Sequence, residues 1–129
     1  MTRDQLRIAD YLGHILEAIE RIGEYVEDVD EIGFLGNKMI QDAVLRNIEI
    51  IGEAARNIER TAPDFAAQHN EVPWAVIYTM RNRIAHGYFK VDLEIVWRTI
   101  QTDLPELAAT IGSLQGTELT GGRARTADD

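Results

Sequence analysis

Apolar residues recur at helical spacing along most of the chain. From residue 4 the chain reads as a helix to about residue 27, and Ile8, Leu12, Ile15, Ile19, Ile22, Val26 and Val29 follow one another at intervals of 4, 3, 4, 3, 4 and 3. That is a heptad-like seam, and it predicts one long helix whose opposite face is acidic. Leu16 and Tyr25 widen the seam. Gly33, Gly36 and Asn37 then interrupt the period, so Asp28 to Gly36 reads as a connector that Ile32, Phe34 and Leu35 anchor to the core. Asn37 is placed to cap a second helix, Lys38 to about Arg60. Its apolar face is Ile40, Val44, Ile48, Ile51, Ala55 and Ile58. Asp42, Arg46, Glu49 and Glu53 form a charged stripe, with Asp42–Arg46 and Arg46–Glu49 at ion-pair spacing. Gly52, Ala54 and Ala55 are small enough for a neighbouring helix to approach closely, a reason to tolerate the roughly 1 kcal/mol that a mid-helix glycine costs relative to alanine.

Thr61-Ala62-Pro63-Asp64 opens a short helix ending near Gln68, with proline in the first turn. After a loop, Pro73 opens a further helix through Trp74, Val76, Ile77, Met80 and Ile84 to about His86, with Gly87 as its break. Val91-Asp92 caps the last helix, Leu93 to about Leu114, whose face is Leu93, Val96, Trp97, Ile100, Leu104, Leu107 and Ile111. Pro105 inside that run predicts a kink or a split, with Thr102 or Asp103 capping the second piece. The fold expected is therefore all-α: an up-and-down bundle of four main helices plus a short one. Residues 1–115 read as one bundle domain. Residues 116–129 form a polar, glycine-containing tail without an apolar pattern, expected to be disordered in isolation.

The size, 129 residues, fits one domain with its own core. The absence of cysteine excludes disulfides, thiolate nucleophiles and cysteine-ligated zinc. The N-terminus turns amphipathic at once, unlike a signal peptide, and no stretch approaches the ~20 apolar residues that span a bilayer. A cytoplasmic protein with no membrane association is the expectation. The net charge is −9, which argues against indiscriminate nucleic-acid binding, because phosphate neutralisation dominates such binding. The distribution changes the picture. Glu17 to Glu31 holds seven acids and one base, whereas Arg81 to Lys90 holds three bases and no acid. A local basic patch on an acidic protein can touch RNA, and the acidic remainder suits a basic protein partner.

Phosphate-binding glycine loops, His-Glu-x-x-His and EF-hand loops are absent. His14, His69 and His86 lie far apart in sequence, without metal-ligand spacing, and neither a metal nor a cofactor is expected. Ser113 is the only serine, which leaves a serine hydrolase without support. The segment Met80 to Lys90 is different. It gathers Arg81, Asn82, Arg83, His86, Tyr88 and Lys90 at a helix end. Asn82 and His86, four apart, share a helix face, so the amide oxygen can fix the imidazole tautomer. Arg81 and His86, five apart, stand about 140° apart around the helix at ~100° per residue, a gap that a long arginine or a second copy of the segment in a dimer can close.

An arginine with a histidine suits RNA cleavage without a metal. RNA supplies its own nucleophile, the 2′-hydroxyl. An imidazole, with an ordinary pKa near ~6.5, exchanges that proton at neutral pH. A guanidinium offers forked donors to phosphate oxygens where charge builds in the transition state. The residues alone also allow a simpler reading, a basic helix terminus favoured by the helix dipole with Tyr88 as a packing residue.

Arg81, four residues, His86, one residue, Tyr88 resembles the Arg-x4-His-x-Tyr signature of HepT-type HEPN proteins, including the polar residue after the arginine. Asp42-Ala43-Val44-Leu45-Arg46-Asn47-Ile48, Ile51-Gly52-Glu53-Ala54-Ala55, Pro73-Trp74 and Asp103-Leu104-Pro105-Glu106-Leu107 are similar to the family too, in the same order, over about residues 4 to 112. The resemblance implies a helical bundle that forms a homodimer with both motifs near one cleft. It also implies a metal-independent ribonuclease toxin of a type VII toxin–antitoxin pair. Its partners would be an RNA substrate and an MntA-type nucleotidyltransferase antitoxin that inactivates it by transferring AMP to Tyr88. In that reading Arg81 and His86 are catalytic, Asn82 orients His86, and Arg83 and Lys90 are auxiliary RNA contacts. The acidic net charge stands in tension with it. Two other classes stay open. One is a non-catalytic substrate-binding module of a nucleotidyltransferase, against which the Arg81, Asn82 and His86 set weighs. The other is a plain dimerisation bundle.

Overall fold

The computed structural model describes the backbone of residues 3–86 and 92–127, with side chains over residues 3–80, Asp4 excepted, and 92–115. The described elements are all helical: α1 (Arg3–Tyr25), α2 (Glu31–Leu35), α3 (Lys38–Thr61), α4 (Pro63–Gln68), α5 (Trp74–His86), α6 (Leu93–Arg98), a π-helical turn (Thr99–Asp103) and α7 (Leu104–Ala127). The all-α bundle is thus the observed architecture. Helix α3 packs against both α1 and α5, and α1 also packs against α7. Ile8, Leu12, Ile15, Ile22 and Val26 of the α1 seam are buried with Val44, Ile48, Ile51, Ala55 and Ile58 of α3. Each buried valine, leucine or isoleucine among them contributes about 1.5–3 kcal/mol on leaving water. Gly52, Ala54 and Ala55 are buried as well, on the helix with two long neighbours.

Helix boundaries follow local chemistry. The Asn37 side chain accepts the Ile40 amide at 3.0 Å and starts α3. Pro63 opens α4, where its missing N–H is one of the unpaired first-turn donors. The Asp92 carboxylate accepts the amides of Glu94 and Ile95 at 3.1 and 3.2 Å and starts α6.

Three expectations are corrected. The connector Asp28–Gly36 contains a helical turn of its own, α2, capped by Asp30, whose carboxylate accepts the Gly33 amide at 2.8 Å. Of its three apolar residues only Phe34 is an anchor. It is fully buried against Trp97, with ring centroids 5.4 Å apart, while Ile32 is 82% and Leu35 37% exposed. Asp42 pairs with Lys38 at 3.2 Å rather than with Arg46, which instead meets Glu49 at 3.9 Å. The split expected at Pro105 takes the form of a π-turn between α6 and α7, and among the described hydrogen bonds no Thr102 or Asp103 side chain caps the second piece. The backbone remains right-handed helical at Thr99 and Leu104, and the Leu104 amide donates to the Thr99 carbonyl five residues back. In a regular α-helix the proline ring meets the carbonyl four residues earlier, and the wider π-turn is the adjustment that accommodates it. Helix α7 then continues to Ala127, past Leu114, the last buried apolar position among the described residues.

Two buried polar side chains carry the joints between elements. Gln41 donates from Nε2 to the carbonyls of Phe34 and Leu35 at 2.9 and 3.1 Å, closing the end of α2 onto α3. Asn47 accepts from Arg21 Nε at 2.8 Å and donates to the Ala43 carbonyl at 2.9 Å, joining α1 to α3.

Candidate active site

Helix α5 carries the candidate chemistry at its C-terminal end, and its N-terminal half is firmly held. Trp74, 4% exposed, donates its indole N–H to the carbonyls of Ala66 and His69, both at 3.2 Å. Its ring also meets Phe65, centroid to centroid at 6.3 Å. Ile77 is buried one turn on. Beside it, Tyr78 accepts from Arg56 Nη1 of α3 at 2.8 Å, and the Arg56 guanidinium carbon lies 4.8 Å from the Tyr78 ring centroid.

The last two turns of α5 hold Arg81, Asn82, Arg83 and His86 on helical backbone. The register therefore brings Asn82 and His86 onto one stripe, four residues apart, as the spacing predicts. Arg81 follows Trp74 by seven residues and Ile77 by four, on the register of the buried stripe. Arg81 and Asn82 stand three and four residues after Tyr78. A helix C-terminus carries partial negative charge, which favours a run of cations there. Tyr88 and Lys90 lie outside the described residues.

A cleft of about 390 Å³ runs beside α5, between Val72, Pro73, Val76, Ile77 and Met80 on one wall and Thr99, Leu104 and Leu107 on the other. Glu71, Asp103 and Glu106 line it as well. Its carboxylates repel a phosphodiester and its apolar walls offer no donors to one, so it is a poor seat for RNA even though Met80 adjoins the motif. Among the described residues, no group of three or more His, Asp or Glu side chains is placed to hold a metal ion. His69 packs on Phe65 at 4.5 Å and faces Glu71 at 3.6 Å, while His14 meets the edge of Tyr11 at 6.2 Å. Among the described residues, no helix is long and apolar enough to cross a membrane.

The family model for HepT-like ribonucleases, "Ribonuclease HepT-like", matches residues 15–114, which includes the whole of α5 and the motif. The chain belongs to the HepT-like ribonuclease family. It is 42% identical over 106 residues to the protein named "Probable ribonuclease HepT" of Thermococcus cleftensis, covering 82% of this chain and 94% of that one. It is 38% identical over 97 residues to a "Putative RNase" of Caldanaerobacter subterraneus, covering 75% of this chain and 84% of that one. A Methanocaldococcus jannaschii protein named as both a gamma-glutamylcyclotransferase and a putative RNase is 44% identical over 101 residues, but the match spans only 44% of its length. No solved structure matches the chain significantly. For this HepT-like chain, the Arg56–Tyr78 contact is the part of the neighbourhood that sequence reasoning missed. Spacing within one helix reveals nothing of a pairing between residues 22 apart.

Proposed function

We propose that this HepT-family ribonuclease is the toxin of a type VII toxin–antitoxin pair and cleaves RNA without a metal, using Arg81 and His86. The observation that carries this reading is the order Arg81, Asn82, His86, Tyr88 on and just beyond the last turns of an anchored α5, inside the stretch the family model matches. His86 takes the proton of a ribose 2′-hydroxyl. The oxygen attacks the adjacent phosphorus, the bond from phosphorus to the 5′-oxygen breaks, and an acid returns a proton to that leaving oxygen. The products are a 2′,3′-cyclic phosphate and a 5′-hydroxyl. Arg81 binds the non-bridging oxygens as their charge grows. Asn82, one turn before His86, holds the imidazole tautomer, and Arg83 and Lys90 contact flanking RNA. The site forms between two copies of the chain, so that the two motifs complete one cleft.

Regulation follows from Tyr88. Its hydroxyl attacks the α-phosphorus of ATP on an MntA-type nucleotidyltransferase, pyrophosphate leaves, and the attached AMP adds negative charge and bulk beside the motif, repelling substrate phosphate. Intact-mass analysis after co-expression with the nucleotidyltransferase should show AMP increments that Tyr88→Phe abolishes. Increments that survive the substitution would place the modification elsewhere.

The deciding experiment is induction of the chain alone in a bacterial host, wild type beside Arg81→Ala and His86→Ala, with growth and total RNA integrity followed. Growth arrest with RNA decay that both substitutions abolish is the expected result. Three equally harmless, folded proteins would overturn it in favour of a binding module that serves a nucleotidyltransferase.

A further inference from the structure

We infer that Arg56, on α3, is an RNA-phosphate contact that extends the candidate site beyond the α5 motif; this rests on the ribonuclease reading of that motif. Arg56 is half-buried and held in place by a neutral partner. Its Nη1 donates to the Tyr78 hydroxyl at 2.8 Å, and its planar head stacks over the Tyr78 ring at 4.8 Å. A guanidinium has five N–H donors. The tyrosine hydroxyl engages one nitrogen. Among the described residues, no carboxylate lies within ion-pair distance of Arg56, although acids outnumber bases 22 to 13 in the chain. The stacked, pre-ordered fork thus keeps donors to offer an anion, and a phosphodiester matches their geometry.

Position supplies the second half of the argument. Tyr78 precedes Arg81 and Asn82 by three and four residues on the same helix. At ~1.5 Å of rise per residue this sets it about 4.5–6 Å along the axis from them and about 12 Å from His86. A strand whose scissile phosphate lies at Arg81 and His86, and which runs back along α5, passes the point where Arg56 is stacked. Arg56 and the motif thus lie on the same pair of packed helices, α3 and α5, and the cleft lined by Glu71, Asp103 and Glu106 has no part in binding the strand.

The test separates an RNA contact from a tie between α3 and α5 that has no role in binding. The full-length protein and its Arg56→Gln and Arg56→Lys forms are titrated by fluorescence anisotropy with a 2′-O-methyl RNA, whose blocked nucleophile prevents cleavage, across a KCl series. Steady-state cleavage of unmodified RNA of the same sequence follows. Arg56→Gln should raise Kd and KM about tenfold, leave kcat near wild type, and flatten the log–log salt slope by about 0.7, the value for one lost phosphate contact on single-stranded nucleic acid. Arg56→Lys should restore the slope but only part of the affinity. A purely structural tie leaves the slope unchanged, and an unchanged Kd and slope in Arg56→Gln overturns the inference. Should that variant not fold, RNA protection of Arg56 in the wild type from an arginine-directed dicarbonyl reagent decides instead, and equal modification with and without RNA overturns it. Wild-type protein that binds the RNA but never cleaves it removes the catalytic reading and leaves the Arg56 contact standing. Wild type that does neither removes both before any variant is made.

Discussion

Trp74→Phe tests what holds the helix that carries the motif. The indole N–H is shared between the carbonyls of Ala66 and His69, both at 3.2 Å, and the ring is 4% exposed. Phenylalanine keeps most of the apolar contact but donates nothing. The lost hydrogen bond is worth about 0.5–1.5 kcal/mol net. The smaller ring leaves a void, and because complete removal of an aromatic side chain costs about 3–5 kcal/mol, roughly 1 kcal/mol is a reasonable share for this change. The sum is about 2 kcal/mol. With ~2.1 cal/mol/K of unfolding entropy per residue over 129 residues, Tm should fall by roughly 7 °C. Circular dichroism melts at 222 nm and matched protein concentration measure this. RNA cleavage well below the melt should stay at the wild-type rate, because the substitution lies at the opposite end of α5 from His86. A Tm equal to wild type would refute the idea that the indole anchors the start of α5. A normal Tm with lost cleavage would mean that Trp74 acts on the site directly.

Two further outcomes follow from the joints of the bundle. Phe34→Ala removes the fully buried anchor of α2 against Trp97 and should destabilise the fold by about 3–5 kcal/mol, read from urea midpoints at constant m-value; a loss under about 1 kcal/mol would mean α2 is a loosely attached flap. Asp92→Ala removes the side chain that accepts the amides of Glu94 and Ile95 and should cost about 1 kcal/mol in the same assay, with Asp92→Asn losing much less because asparagine caps as well.

Periodicity made the long helices legible because each buries one continuous stripe, and a stripe is a property of the sequence alone. The helix starts were legible for the same kind of local reason: Asn37, Pro63 and Asp92 act within three residues of where they stand. What stayed hidden depends on contacts between distant segments. Ile32, Phe34 and Leu35 are equally apolar, and only packing against Trp97 selects Phe34 for the core. Gln41 and Asn47 read as ordinary polar positions on α3, yet both are buried because backbone carbonyls and Arg21 are there to satisfy them. The π-turn lay between these cases. Pro105 announced an irregularity, but whether the backbone breaks or widens depends on keeping Ile100 and Leu104 on the same core. For the site, the motif was legible as a string of residue types and its register follows from α5 being helical. Arg56 was not, because its partner lies on another helix.

The net charge of −9 bears directly on how this ribonuclease meets its substrate. Long-range attraction cannot be the main term, since the protein as a whole repels RNA. Affinity must come from a few cations in direct contact, and the salt dependence of binding counts them. On the proposed reading the candidate cations of one protomer are Arg56, Arg81, Arg83 and Lys90. At about −0.7 per phosphate neutralised on a single strand, four contacts give a log–log slope near −3, and a strand crossing both protomers of a dimer gives at most about −6. The measurement is best made at pH 8, where an ordinary imidazole is largely neutral and adds no contact. A slope between about −1 and −3 assigns binding to one protomer, and a slope between about −3 and −6 requires both motifs on one strand. A slope steeper than about −6 would demand more cations than the path contains. The RNA would then be held by a surface other than the α3–α5 face, and the assignment of substrate binding to that face would fail.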